Sequence, residues 1–301
     1  MARTDDDSWD ITEGVGQTAL GVAMARADEA TSERPLFSDP YARLFLDAAT
    51  ERGWRRPPPH MVERIRSIGG YAASRTKWFD EFFIAAGANG IEQVVILAAG
   101  LDARAWRLPW VDGSAVYEIE QPKVLAFKAE ILHAHDLAPA ARYVAVPIDL
   151  RQDWPKALVE AGFEPAEPTA WAAEGLLPYL PADGQDLLFE RINELSARGS
   201  RVGGESFGGG FFDCDYLARR REQLRRLREE AGDDVSQKVP DTEDLWYIED
   251  RTDVADWLTD HNWEVSAVEA LDLITRYGRC GAEQDDSVAP CTVFLDGHLV
   301  R

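Results

Sequence analysis

The stretch QVVILAAGLDARAWRLPW, Gln93–Trp110, runs an apolar segment of strand length into a turn of small residues and leaves it through Asp102 and Arg104. An apolar run of this length, bounded by a turn, reads as a strand. One glycine, Gly100, sits at the turn. That is not the G-x-G-x-x-G pattern that presses a backbone against a diphosphate. The ligand of such a loop needs close approach to the chain but no nest for phosphate.

Downstream, AVYEIE (115–120), RYVAVPID (142–149), TAWAAEG (169–175) and RVGGESF (201–207) repeat the short apolar texture. Helix-like stretches at 122–134, 155–161 and 184–199 separate them. This alternation predicts a parallel sheet with right-handed crossovers. WEVSAVEA (263–270) and CTVFLDGHL (291–299) supply two more strands, a final pair open to antiparallel pairing. Upstream, residues 1–16 are a polar arm, and helices are expected at 18–30, 38–49 and 71–87, with Gly87 as a helix end and WRRPPPH (54–60) as a break. Residues 208–250 interrupt the alternation: a glycine hinge, then an arginine-rich helix with Leu217, Leu224 and Leu227 on about one face. A further helix is expected at 252–260.

The expected fold is therefore α/β, a doubly wound, seven-stranded, mostly parallel sheet with a helical N-terminal segment and a helical cap insertion. Within a single domain spanning 1–301, residues 1–90 form the helical segment, 91–207 the cofactor-binding core, 208–260 the cap and 261–301 the C-terminal strands.

Composition narrows the partners. The chain has 301 residues, 45% apolar and 29% charged, which is globular. Its net charge of −22 repels polyphosphates and anionic lipid, arguing against nucleic acid and membrane surfaces. No apolar run reaches the roughly 20 residues that span a bilayer. Cys214, Cys280 and Cys291 are scattered, with no metal-ligand spacing, so no metal is expected and a reducing cytoplasm fits. The acidic start MARTDDDSWD does not read as a signal peptide.

In open parallel sheets, ligands bind beyond the carboxyl ends of the strands. Acid stands at four strand ends in order: Asp102 after the first, Glu118 and Glu120 at the second, Asp149 at the third, Glu174 at the fourth. Any one of them reads more simply as a helix cap or a solvated loop residue; the ordered set is the signal. Glu118 and Glu120 face the same side, and Glu120 lies nearer the crevice. Such a rim suits ribose hydroxyls, an adenine amine and a positive charge. S-adenosylmethionine has all three and no diphosphate, which matches the single Gly100.

The chain resembles the leucine carboxyl methyltransferase family of class I S-adenosylmethionine-dependent methyltransferases, and within it an actinobacterial, largely mycobacterial, branch. The matching stretches are TALGVAMARADEA, FSDPYARLFL, YAASRTKWFD, QVVILAAGLDARAWRL, VYEIEQPKVLAFK, PIDLRQDWPKAL, AAEGLLPYLP and ADWLTDHNWEV, from about residue 18 to 265. The resemblance implies a Rossmann-like fold and a set of roles. Arg75 would grip the cofactor's methionine carboxylate and Arg26 would lie at its edge, unless Arg26 is a structural ion pair. Gly100 would lie beside the methionine moiety. Glu120 would bind ribose where the family most often has aspartate. Asp149 and Leu150 would bind adenine, and Glu174 would lie close to the sulfonium. Asp102 would either touch the cofactor or pair locally with Arg104.

No residue stands out as a catalytic base; His261 is a candidate, and His133 and His135 lie on a helix surface. This favours an acceptor oxygen that is already ionised, a carboxylate or an acidic phenol, on a small molecule. The arginines from Arg219 to Arg228 form a solvated face or line the cap over an acidic acceptor. Trp246 and Tyr247 pack in a core or line the acceptor pocket. A nicotinamide oxidoreductase, or a cofactor-binding protein without turnover, are the competing readings.

Overall fold

The structure, a computed structural model, describes residue 11 and residues 16–55, 59–207, 245–279 and 292–301, with 59–69 described as backbone only. Seven strands form one sheet: β1 (Gln93–Leu97), β2 (Ala115–Glu120), β3 (Arg142–Pro147), β4 (Thr169–Ala173), β5 (Arg201–Phe207), β6 (Trp263–Glu269) and β7 (Thr292–Leu299). Their order is β3-β2-β1-β4-β5-β7-β6. The first five are parallel, and β7 runs antiparallel to both β5 and β6. From β1 the chain works outward to β3, then returns to the other side of β1 as β4. The reversal leaves a crevice beyond the carboxyl ends of β1 and β4.

The two-residue period of the strands divides the core. Val94 and Ile96 of β1, Val116 of β2 and Ala170 and Ala172 of β4 face one layer. That layer holds α1 (Gly16–Ala30), α2 (Pro40–Glu51), α3 (Pro59–Ala88) and, from the crossovers, α5 (Pro122–Ala134). Val95, Leu97, Tyr117, Ile119, Trp171 and Ala173 face the other. There α6 (Trp154–Glu160) and α7 (Ala182–Glu194) pack, joined by α8 (Val254–Asp260). Helices on both faces make the sheet doubly wound. All five residues of β1 and of β4 are buried, which explains why these strands read as unbroken apolar runs.

The N-terminal helices start by local rules. Asp39 caps α2, its Oδ1 accepting from the Tyr41 and Ala42 N–H groups, and Pro40 occupies the first turn. The helix expected at 71–87 is the C-terminal part of the 30-residue α3.

Several boundaries differ from expectation. The strands expected to run to 99, 149 and 175 stop at Leu97, Pro147 and Ala173. Ala98 at φ 50° and Gly175 at φ 62° turn the chain out of the sheet there. α7 ends at Glu194, five residues before its expected end: Ser196 Oγ donates back to the Ile192 carbonyl, and Gly199 at φ 92° reverses the chain into β5. Two short helices were not expected, α4 (Arg104–Arg107) and α9 (Ala270–Arg276), each too short for its periodicity to stand out.

The expected hinge and arginine-rich helix, with Leu217, Leu224, Leu227 and the Arg219–Arg228 run, lie outside the described residues, which resume at 245. The returning chain is fixed to the turn after β4. Tyr247 N–H donates to the Pro178 carbonyl at 2.8 Å. Arg251 donates to the carbonyls of Leu177 (2.9 Å), Leu180 (3.2 Å) and Tyr247 (2.9 Å).

Gly297 of β7 leaves no room for a side chain, since a Cβ there would stand 2.9 Å from Val202 Cγ1 and 3.5 Å from Leu258 Cδ1 and Trp263 Cε3. Gly297→Ala is expected to destabilise the fold by about 1–3 kcal/mol through overpacking. Urea unfolding reads this as a lowered midpoint at unchanged slope; an unchanged midpoint would contradict the packing described for this layer.

Candidate functional site

The crevice at the switch point is a cleft of about 250 Å³. Arg26, Arg75, Gly100, Asp102, Glu120, Asp149, Leu150 and Glu174 all line it. Residues from α1, α3 and the ends of four strands thus meet in one place, although Arg26 and Glu174 are far apart in the chain.

Its floor is the turn after β1. Gly100 has φ 52°, a left-handed conformation that suits glycine, and a Cβ there would approach Ala19 Cβ of α1 to 3.2 Å. The close approach of α1 to the loop therefore depends on this glycine. The Gly100 N–H donates to Glu120 Oε2 at 2.8 Å, and the Gln121 N–H donates to Glu120 Oε1 at 2.6 Å. Burial raises the Glu120 carboxyl, against the two backbone donors that favour its anion. Glu118, two residues earlier, is fully buried against Lys128 Nζ (2.5 Å) and Tyr143 Oη (2.9 Å) and does not line the cleft.

Beside the floor lies a buried charge cluster centred on Arg104, whose side chain is 1% exposed. Its Nε donates to Asp80 Oδ1 (2.7 Å), its Nη1 to Glu174 Oε2 (2.7 Å) and to Asp102 Oδ2, and its Nη2 to the Thr76 carbonyl (3.3 Å). Arg107 adds two bonds to Asp80, both 2.6 Å. Arg75 Nε lies 3.0 Å from Glu174 Oε1, and its Nη1 donates to Glu205 Oε2 at 3.3 Å. Arg26 Nε lies 3.3 Å from Asp39 Oδ2, and its Nη2 donates to the Leu101 carbonyl at 2.5 Å. Arg26 is thus an ion pair that also lines the cleft, and Asp102 pairs with Arg104 while facing it.

These neighbours set protonation. Burial alone would raise Asp102, but Arg104, then Arg26, Lys128 and Arg107, outweigh it and lower the carboxyl to about 2. Glu205 goes the other way. Burial pushes it up to about 8, only partly opposed by the Gly175 N–H that donates to its Oε2 at 2.7 Å.

At the far rim, Asp149 is heavily engaged. Its Oδ1 accepts from Arg151 N (2.8 Å) and Nε (2.9 Å), and its Oδ2 from Arg151 Nη2 (2.7 Å) and Gln121 Nε2 (2.8 Å). A ligand amine can bond Asp149 here only by displacing one of these donors. Arg151 side chain is one-third exposed and is the group with room to move.

Sequence reasoning passed over Asp80, Glu205 and the cleft-lining Arg151 and Tyr179. Two carried a signal. Asp80 interrupts the apolar face of α3 between Phe79 and Phe83, and Glu205 is an acid inside a central strand; unpaired acids are rare in both settings. His261 does not line the cleft: its ring stacks on Trp257, with centroids 3.7 Å apart, and its Nδ1 is 2.7 Å from the Trp257 carbonyl. His133 and His135 are exposed.

A family model described as leucine carboxyl methyltransferase matches residues 19–193, more than half of the chain. A Mycobacterium ulcerans protein is 50% identical over 99% of both chains, and a Mycobacterium avium protein 52% identical over 98% of both. Each carries the name "Putative S-adenosyl-L-methionine-dependent methyltransferase". Among solved structures, a DUF574 family protein from Streptomyces avermitilis aligns with TM-score 0.53 at 10% identity, over 93% of this chain and 96% of its own. A "putative methyltransferase" from Thermobifida fusca aligns with TM-score 0.50 at 16% identity, over 92% and 95%. At such identities these two likenesses concern the fold.

A depressed carboxyl stabilises the fold above its ordinary range and ceases to do so as pH falls through its folded value. Asp102→Asn is expected to cost about 2 kcal/mol at pH 6, narrowing to about half of that by pH 3. Urea unfolding of both proteins across this range checks it; a gap that stays constant would show that Asp102 is not held ionised by its arginines.

Proposed function

The chain belongs to the leucine carboxyl methyltransferase family, and on that premise we propose that its cleft holds S-adenosylmethionine and that the methyl group passes to an oxygen of a small acidic acceptor. It is an S-adenosylmethionine-dependent methyltransferase; the placement of the cofactor and the choice of oxygen are the proposal. The observation that carries it is the meeting of Arg75, Glu120, Asp149 and Glu174 in one cleft at the switch point of the sheet.

The residues fit the group. Glu120 is held by two backbone N–H donors, one per oxygen, and each oxygen keeps acceptor capacity for one hydroxyl of a ribose diol. Gly100 lets the backbone approach, and no cradle of successive N–H groups is needed for a ligand without phosphate. Arg75 offers a cation to the methionine carboxylate, and Glu174 an anion to the sulfonium. Leu150 and Ile148 supply an apolar wall for adenine, with Asp149 reaching its amine once Arg151 or Gln121 yields.

When bound, the cofactor supplies a methyl group on a positively charged sulfur, so the leaving group is already activated. The chain's own work is alignment and exclusion of water. Arg104 fixes Glu174 and Asp102 relative to α3, so the acidic wall cannot rotate away. No histidine lines the cleft among the described residues. A carboxylate acceptor is ionised at neutral pH and needs no base, which is why it is preferred over an alcohol.

Calorimetry with S-adenosylmethionine tests the site: the wild type binds, and Asp149→Ala binds at least about tenfold more weakly, a loss of about 1.4 kcal/mol. Unchanged affinity would remove Asp149 from the adenine site. Labelled methyl transferred into fractionated cell extract tests the acceptor. A methyl ester is released as methanol by mild alkali, and an aryl ether is not. Alkali-stable label in the product would overturn the carboxylate assignment.

A further inference from the structure

Glu205 belongs to none of the roles above, yet it sits against the cation on which ligand binding depends. Its side chain is 1% exposed, on β5 beside β4. Its Oε2 takes both polar contacts, the Gly175 N–H at 2.7 Å and Arg75 Nη1 at 3.3 Å. Arg75 lies between two carboxyls, Glu174 on its Nε and Glu205 on its Nη1, while its Nη2 makes no hydrogen bond among the described residues. A Cβ at Gly175 would stand 3.1 Å from Arg75 Nη1 and 3.7 Å from Glu205 Oε2, so the three groups are packed together.

The charge count gives this contact a consequence. The cluster holds Arg26, Arg75, Arg104 and Arg107 against Asp39, Asp80, Asp102, Glu174 and Glu205. With Glu205 neutral, four guanidiniums face four carboxylates. With Glu205 ionised, the acids are in excess and Arg75 is the cation that the extra charge addresses.

We propose that Glu205 is a positioning residue that couples a proton to ligand binding: neutral, it leaves Arg75 to a carboxylate-bearing ligand, and ionised, it competes for Arg75 and weakens that ligand. This rests on the reading that the cleft holds an adenosyl amino acid. The groups around Glu205 support it. α3 presents Arg75, with Tyr71 beneath the guanidinium at 5.8 Å. The chain after β4 presents the Gly175 N–H and Glu174, itself tied to Arg104. β7 places the apolar Phe294 opposite in register, and the turn Leu177–Tyr179 carries Tyr179 as its titratable residue. Arg75 is the cation in contact with Glu205, and burial pushes the carboxyl up to about 8.

The test compares two probes by calorimetry between pH 6.5 and 9. S-adenosylhomocysteine keeps the amino-acid carboxylate; 5′-methylthioadenosine lacks it. In the wild type, S-adenosylhomocysteine affinity is expected to fall above pH 8, approaching tenfold per pH unit, with a proton taken up on binding. Glu205→Gln, which keeps an acceptor for the Gly175 N–H but cannot ionise, should lose that fall and match the wild type at pH 7. Methylthioadenosine should show no such fall in either protein. The ligand's own ammonium titrates identically in both and cancels in the comparison. A Glu205→Gln slope equal to the wild type's, or methylthioadenosine sharing the slope, overturns the coupling while leaving the site assignment intact. Should Glu205→Gln fail to fold, wild-type binding at pH 9 in two buffers of different ionisation enthalpy gives the proton count, and zero uptake overturns it. Binding of neither probe at pH 7 overturns the cofactor site, and the coupling with it.

Discussion

The guanidinium of Arg104 is almost wholly out of water and bonded to three carboxylates from three parts of the chain: Asp80 of α3, Asp102 of the loop after β1, and Glu174 after β4. Burying a charge of either sign alone would cost several kcal/mol. Burial works against the charge on Arg104, but its three acids hold it firmly protonated. The arrangement does more than neutralise charge. Its planar donors fix the distance between a helix of the N-terminal quarter and two strand ends, and the cleft is the space that those distances define. Arg107 repeats the device on a smaller scale, clamping Asp80 from the other side.

Backbone conformation does the rest. The strands leave the sheet at residues with positive φ, Ala98 and Gly100 after β1 and Gly175 after β4. Each turn presents a main-chain N–H to a carboxylate from a neighbouring strand, Gly100 to Glu120 and Gly175 to Glu205. The same motif thus occurs twice across the switch point, once at Glu120 in the cleft and once beside Arg75. In both, the acid orders the loop, and the loop in turn fixes the acid. For Ala98 a left-handed conformation carries a steric cost that a glycine would avoid, a strain typical of positions where site geometry overrides local preference.

Much of this was legible beforehand. The seven strands, the alternation and most helices follow from hydrophobic periodicity, because β1 and β4 are buried on both faces and α3 carries its aromatics at helical spacing. The choice of Glu120 over Glu118 followed from strand alternation and distance along the strand, and the structure puts Glu118 in the core with Lys128 and Glu120 at the cleft. What stayed hidden was partnership. A sequence shows an arginine after Asp102 but not that the same guanidinium reaches Asp80 and Glu174, which are 24 and 70 residues away. Asp149 shows the same limit. Its place at a strand end was readable; its bonds to Arg151 and Gln121 were not. The ends of β1 and β4 were misjudged where positive φ turns the chain, at Ala98, which in sequence looks like a further strand residue, and at Gly175.

The order of synthesis gives the charge cluster a further meaning. Arg26, Asp39, Arg75 and Asp80 leave the ribosome before Asp102, Glu174 and Glu205 exist. Arg26 finds Asp39 early, but until β4 and β5 have been made Arg75 lacks Glu174 and Glu205, and desolvating it would be strongly unfavourable. Burying that end of α3 against the sheet is therefore disfavoured before its acids arrive, whatever its apolar face gains by collapse. The order of the residues thus places the neutralising acids of Arg75 on the fourth and fifth strands, late in synthesis, and favours docking of this wall of the cleft after them.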